Sequence, residues 1–286
     1  MAEIAYPGTD RYSMAEFMAI VFARDMAGPE ERGGGGGADN LIPLAAGRLA
    51  QLTVCPNFWL GGGGAGMVTG EAPWHRLPLG TWDPRLNAGA EFRRYMMDRV
   101  DSGTRGRVER PNTRSARGGG AGGGGMQIDK YGNTNMLGIG GPYPKLTVRG
   151  PGTVGNIWSA TGGGGGRYTQ HHNRRVLVEK VDYITGPGWL DGGDSREKVY
   201  PGTRGPDYIF TPICIFDFTE DEHRARLVSV HPGYTVKDVL DNTGFEPVIP
   251  ANVPQTTPPS DGELEMLRTG VDRDGVLRKY KRLTVG

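Results

Sequence analysis

Few residues of this 286-residue chain combine the type and the placement that chemistry demands. Gln127 and Asp129 follow a predicted sheet strand, at the edge where open α/β sheets receive ligands. An amide and a carboxylate there can bind a polar ligand; the alternative is that they fix the turn running through Asn133 and Asn135. His171 and His172 are adjacent, and on a strand their side chains point to opposite faces, so they do not share a metal ion. His231, just before Pro232-Gly233, reads as structural. Cys55 and Cys214 have no metal-ligand spacing and sit among apolar neighbours, as buried thiols do. Trp74, His75 and Trp82 fall in an irregular stretch and are candidates to line a substrate entrance.

The elements that must position these residues can be read from capping and periodicity. Ser13 with Glu16 forms a capping box ahead of Phe17, Met18, Ile20, Val21 and Met26, which predicts a helix over residues 13–26. Asp39 or Asn40 can cap a second helix with Leu41, Leu44, Ala45, Leu49 and Leu52 on one face, Pro43 being tolerated in its first turn. Residues 90–101 read as a third. Lys130–Asn133 is a turn, Leu146–Val148 a short strand, Gly150–Gly155 a loop, residues 156–161 a helical turn, and Val176–Val178 a strand. Ile209–Phe218 and Arg224–Val230 predict a hairpin. Thr235 caps a helix through Leu240, and Ser260 with Glu263 caps another through Arg268.

Between these elements lie four glycine tracts: Gly33–Gly37, Gly61–Gly64, Gly118–Gly125 (broken only by Ala121) and Gly162–Gly166. They hold twenty-one of the forty-nine glycines. None is followed by the Gly-Lys-Ser/Thr of a phosphate loop. Each stands where a strand would complete a βαβ pattern, so the chain reads as α/β with a parallel sheet. Glycine in a strand interior costs conformational entropy and buries nothing. The expectation is therefore that many of these positions stand for larger side chains, giving an intact mass above 30.8 kDa.

The length suits one large domain, 1–286, or two lobes sharing a core. A net charge of +1 suggests no nucleic-acid surface. The basic run Arg105–Arg117 reads as a solvated loop. With no apolar run of transmembrane length and no signal-peptide pattern, the expected location is the cytoplasm.

Three motifs carry a resemblance. Gln127-Ile128-Asp129-Lys130-Tyr131-Gly132-Asn133-Thr134-Asn135 is one. The run from His172 through Val176-Leu177-Val178 and Gly186-Pro187-Gly188-Trp189 to Gly192 is the second. His231-Pro232-Gly233-Tyr234-Thr235, leading on to Asp241–Glu246, is the third. In this order they resemble the β subunit of family I coenzyme A transferases of the glutaconate type, with a weaker likeness over Ala38–Asn57. The resemblance implies a three-layer α/β/α fold with a Rossmann-like parallel sheet and an α subunit of similar fold, in a heterodimer or heterotetramer. It implies an acyl coenzyme A thioester as substrate, with coenzyme A transfer between carboxylic acids as the leading activity and no bound cofactor.

In those transferases a glutamate of this subunit attacks the thioester carbonyl and then carries coenzyme A, so that each step conserves the thioester energy. Counted from Pro56-Asn57, that glutamate falls at Gly62, Gly63 or Gly64, and this chain has glycine at all three. Glu71, the nearest carboxylate downstream, lies past the expected turn and reads as a surface residue. Val148-Arg149-Gly150 is instead similar to the β subunit of the related hydrolases that open a steroid ring as a coenzyme A thioester. There Arg149 would pair with a substrate carboxylate or a developing enolate; otherwise it is an arginine salt-bridged at a strand end. Gly150, Gly152, Gly155 and Asn156 would form a glycine-rich loop facing the substrate, whose N–H groups can stabilise an oxyanion. A third reading is a structural subunit whose partner supplies the catalysis.

Overall fold

The computed structural model describes residues 10–27, 32–36, 41–56, 58–62, 66–68, 121–122, 124–153 and 165–286. These residues form an α/β protein with mixed sheets, divided into two compact units. One unit comprises Thr9–Ala121 and Pro258–Lys281; the other comprises Met1–Gly8, Gly122–Thr257 and Arg282–Gly286.

In the first unit, helix α1 (Met14–Asp25) starts at the capping box of Ser13 and Glu16. Every residue from Ala15 to Ala23 is buried, so the helix is enclosed on all sides and not only along the expected stripe. Strand β1 (Arg32–Gly36), helix α2 (Leu41–Leu52) and strand β2 (Phe58–Gly62) form a βαβ unit, with β1 and β2 parallel. Strand β3 (Gly66–Val68) pairs antiparallel with β2. Leu52, expected on the apolar face of α2, is exposed because the helix ends there. Asp39 and Asn40, the helix expected over residues 90–101, and Arg105–Arg117 lie outside the described residues.

The C-terminal segment of this unit returns to α1. The helix Asp261–Met266, capped by Ser260 with Glu263, continues as a π-helical turn, Leu267–Val271, which carries it past the expected end at Arg268. Arg24 pairs with Glu263 at 2.7 Å, and Ser13 Oγ donates to the Leu277 carbonyl. Glu16, 1% exposed, accepts from Arg268 Nε at 2.8 Å and Arg278 Nε at 3.3 Å. Burial alone would raise the Glu16 pKa; the hydrogen bonds from Arg268, the Ser13 N–H and Arg278 outweigh it and hold the pKa below the ordinary value.

The second unit takes up the chain at Gly122, the last residue of strand β4 (Ala121–Gly122). It continues with β5 (Gln127–Asp129), β6 (Thr134–Asn135), β7 (Gly138–Ile139), β8 (Val148–Arg149), β9 (Gly166–Tyr168), β10 (His171–His172) and β11 (Leu177–Val178). Then follow β12 (Tyr208–Phe210), β13 (Cys214–Phe218), β14 (Ala225–Val230) and β15 (Thr284–Val285). The largest sheet has the order β14-β13-β12-β9-β4. In it β12 runs parallel to β9 and antiparallel to β13, so the expected all-parallel sheet is corrected to a mixed one. The long first arm of the expected hairpin is two strands, because Pro212 has no N–H for a ladder and Thr211 Oγ1 accepts from Cys214 N–H at 3.1 Å. The β13–β14 hairpin is as expected. Leu146 and Thr147 fall outside the short strand β8.

The core of this unit includes histidines. His172 is fully buried, with Nδ1 2.9 Å from Thr211 Oγ1 and Nε2 3.0 Å from Thr243 Oγ1. His231 is equally buried between Thr256 Oγ1 and the Thr211 carbonyl. His171 faces the other way from His172, and both cysteines are buried, as expected.

Of the described tract residues, Gly33–Gly36 lie in β1, Gly61–Gly62 in β2, Gly122 in β4 and Gly166 in β9, while Gly124, Gly125 and Gly165 lie in no strand. At three tract positions a larger residue would need its neighbours to move. A β-carbon at Gly124 would strike the Tyr168 carbonyl, one at Gly125 the Gln127 and Asn135 carbonyls, and one at Gly166 the Tyr208 ring.

Candidate functional site

Strands β5 and β11 run parallel, with Ile128 opposite Leu177 and Asp129 opposite Val178. Beyond their carboxyl ends lies a cleft of about 260 Å³ lined by Asp129, Tyr131, Asn133, Lys180, Ile184 and Leu190, among others. This is the edge at which open α/β sheets receive ligands.

Asp129 is 2% exposed, and its carboxylate is engaged in the turn. It accepts from the N–H groups of Tyr131 at 3.0 Å and Asn133 at 3.1 Å, and from Asn133 Nδ2 at both oxygens. Burial raises its pKa, against the opposing pull of these hydrogen bonds. Asn133 carries the turn onward: Oδ1 accepts from Gly188 N–H at 2.8 Å and Leu190 N–H at 3.1 Å, while Nδ2 donates to the Leu190 carbonyl. Leu190 has φ of 55°, a left-handed conformation that these bonds maintain. Below this segment, buried Arg167 donates to the Gly132 and Pro187 carbonyls. Burial first, then the neighbouring Arg196 charge, lowers the Arg167 pKa to about 10, with Asp129 opposing.

Gln127 faces a second set of partners. Its Oε1 accepts from Asn135 Nδ2 at 2.7 Å and from Asp182 N–H at 3.0 Å, and its Nε2 donates to Asp182 Oδ1 at 3.3 Å. Asp182 Oδ2 in turn accepts from Gly140 N–H at 2.9 Å, and Tyr183 OH donates to the Gly141 carbonyl at 2.9 Å. Gly140 and Gly141 belong to an arm that leaves through β7 and returns through β8, with Gly138 opposite Arg149.

Arg149 is exposed on this arm, and its guanidinium lies 5.4 Å from the centre of the Tyr143 ring. The arm returns along Met136–Leu137: Gly150 N–H donates to the Leu137 carbonyl at 2.9 Å and Gly152 N–H to the Met136 carbonyl at 3.0 Å. Those two N–H groups are spent on the backbone, which corrects the expectation that they serve an oxyanion. Gly150 tolerates no β-carbon because the Met136 carbonyl and Met126 Sδ occupy the space, and Gly152 has φ of 93°. Both positions therefore favour glycine.

Gly62 closes β2 at the carboxyl end of the parallel β1–β2 pair, opposite Gly36. Gly63, Gly64, Glu71, Trp74, His75, Trp82, Gly155 and Asn156 lie outside the described residues. Among the described residues no cluster of His, Cys, Asp and Glu could hold a metal ion. No helix among them is long and apolar enough to cross a membrane. Residue type and position in the sequence single out Gln127, Asp129 and Arg149 but not Asp182 and Tyr183. Both of the latter sit inside the His172–Gly192 motif, but nothing local in it signals their long-range contacts.

A family model described as Coenzyme A transferase matches residues 121–242. The β subunit of the glutaconate CoA-transferase of Acidaminococcus fermentans is 36% identical over 151 residues, which span 52% of this chain and 55% of that protein. The chain thus matches about half the length of this relative. The cholesterol ring-cleaving hydrolase IpdB subunit of Rhodococcus jostii is 29% identical over 235 residues, covering 81% of this chain and 82% of that protein. Among solved structures, glutaconate coenzyme A-transferase from Acidaminococcus fermentans is similar with a TM-score of 0.75 at 25% identity, over 94% of this chain and 98% of that one. Residues 121–242 thus match the coenzyme A transferase family, and the fold is similar to that of a solved glutaconate coenzyme A-transferase.

Proposed function

We propose that this chain is the β-type subunit of a heteromeric enzyme acting on acyl coenzyme A thioesters, completed by an α subunit of similar fold. The observation that carries this reading is the near full-length likeness to a glutaconate coenzyme A-transferase chain. A three-layer α/β/α arrangement with a Rossmann-like sheet, both units forming one domain over 1–286, is part of the same proposal. So is a cytoplasmic location.

Coenzyme A transfer between carboxylic acids is the first reading. It needs a carboxylate that forms a mixed anhydride with the acyl group and then a thioester with coenzyme A. The family position for that carboxylate falls at Gly62–Gly64, and the chain supplies none there. This observation favours a second reading, the opening of a ring C–C bond in a cyclic coenzyme A thioester, which forms no enzyme thioester. In both, Arg149 pairs with a carboxylate of the acyl substrate. Gly150 and Gly152, with Gly155 and Asn156, let the substrate approach the backbone closely. Gln127 and Asp129 shape the site through the backbone they hold.

The test is to assemble the chain with its α subunit, add acyl coenzyme A and treat with hydroxylamine or borohydride. A trapped glutamyl species on this chain supports transfer and sinks the second reading. A ring-opened product without trapping supports hydrolysis. Turnover that persists when this chain is omitted refutes a catalytic role for it.

A further inference from the structure

Asp182 links the buried sheet to the exposed arm that carries Arg149, and neither reading of the chemistry gives it a role. Arg149 has no rigid element of its own: β7 and β8 pair over only two residues each. The body of the unit must therefore fix the arm. On the outgoing side, Asn135 Nδ2 donates to the Gly138 carbonyl at 2.8 Å. Two residues on, Gly140 N–H meets Asp182 Oδ2, and the Gly140 carbonyl accepts from Thr147 N–H at 2.7 Å. Gly140 thus joins both limbs of the arm, and Asp182 is what holds Gly140 to the body. Gln127, 5% exposed, holds Asp182 at both its N–H and its Oδ1.

We propose that Asp182, seated by Gln127, is a positioning residue that sets the place of the Arg149 guanidinium at the substrate. This role rests on the pairing of Arg149 with a substrate carboxylate proposed above. Asparagine at 182 can keep the bond from Gly140 with its carbonyl oxygen but gives up the one from Gln127 Nε2, whereas alanine keeps neither. Without the pin, Gly140 N–H loses its partner, and the arm keeps only its contacts at Gly138 and Gly141 and those of its returning limb at Gly150 and Gly152. A displacement of the order of an ångström at a substrate-holding group costs roughly 10- to 100-fold in rate.

The test uses the full chain assembled with its α subunit, in the variants Asp182→Ala, Asp182→Asn, Arg149→Gln and Arg149→Gln/Asp182→Ala. Hydrogen exchange is expected to rise over residues 138–152 in Asp182→Ala, and to recover in part in Asp182→Asn, which keeps an acceptor for Gly140 N–H. With an acyl coenzyme A carrying a free carboxylate, kcat/KM should fall roughly 10- to 100-fold in Asp182→Ala. In the Arg149→Gln background the same change should have little further effect. Unchanged exchange across the arm overturns the proposal whether or not the complex turns over a thioester. Additive losses in the double variant overturn it too, because Asp182 would then act independently of Arg149. A loosened arm together with an Arg149→Gln variant of full activity overturns the role given to Arg149 instead, and the positioning claim with it.

Discussion

Acidification should weaken the histidine-containing core at a pH where carboxylates are still charged. Burial pushes the pKa of His172 from 6.5 to about 3, against a small opposing effect from backbone contact with Val239. Burial does the same for His231, with the Thr211 carbonyl opposing and the His172 charge assisting. Because the native pKa values lie below the unfolded one, the unfolded chain binds more protons from 6.5 downward. Stability is thus full above 6.5 and declines as the pH falls, until the native rings protonate near 3. Each site costs about 1.4 kcal/mol per pH unit in that interval, so going from about pH 7.5 to about pH 5.0 removes about 2 kcal/mol per histidine and about 4 kcal/mol for the pair. That is a large share of the roughly 5–15 kcal/mol that holds a domain together. Glu263, pulled down to about 2 chiefly by its hydrogen bond with Arg24, and Glu16, also lowered, lose their contributions only in the carboxylate range; Asp129, raised by burial, works the other way. Urea unfolding of the full chain, followed by circular dichroism at the two pH values, measures the difference. A His231→Gln variant should show about half the pH dependence. Equal stability at both pH values, or the same dependence in the variant, would refute the reasoning.

Two further outcomes concern single residues. Glu16→Gln should lower the urea-derived stability by about 1–3 kcal/mol, since it removes the charge that Arg268 and Arg278 address. The loss should shrink as the pH falls through the carboxylate range, where wild-type Glu16 also becomes neutral. Gly150→Ala should disturb the arm far more than Gly152→Ala. The first puts a methyl against the Met136 carbonyl, while the second meets open space and costs only about 1–2 kcal/mol for a left-handed backbone. Arm-specific hydrogen exchange in the two variants separates them, and equal behaviour would contradict the packing described.

Local signals suffice where structure depends on neighbours along the chain. The boxes Ser13/Glu16 and Ser260/Glu263 mark helix starts correctly because a cap is a three-residue affair. The tracts are unpromising in composition, yet the alternation of elements around them points to strands. The run Ile209–Phe218 looks like one strand because the weight of β-branched and aromatic residues masks Pro212, which interrupts the ladder. At the site, Gln127 and Asp129 are visible by residue type, and they form β5 itself instead of following a strand. Asp182 is not, because its partners lie 42 and 55 residues away and an aspartate looks the same in sequence with or without them.

The two units also limit how such a chain can be cut or recombined. Each is built from segments that the other interrupts: 258–281 belongs with 9–121, and 282–286 returns to 122–257. A single crossover at the 121/122 boundary would transplant the second unit along with the segment that packs onto α1. Fragments made there would each carry, or lack, an element belonging to the other. Gene shuffling within this architecture therefore has no one-cut module, and the loss of β15 would take from His171–His172 the strand that pairs with it.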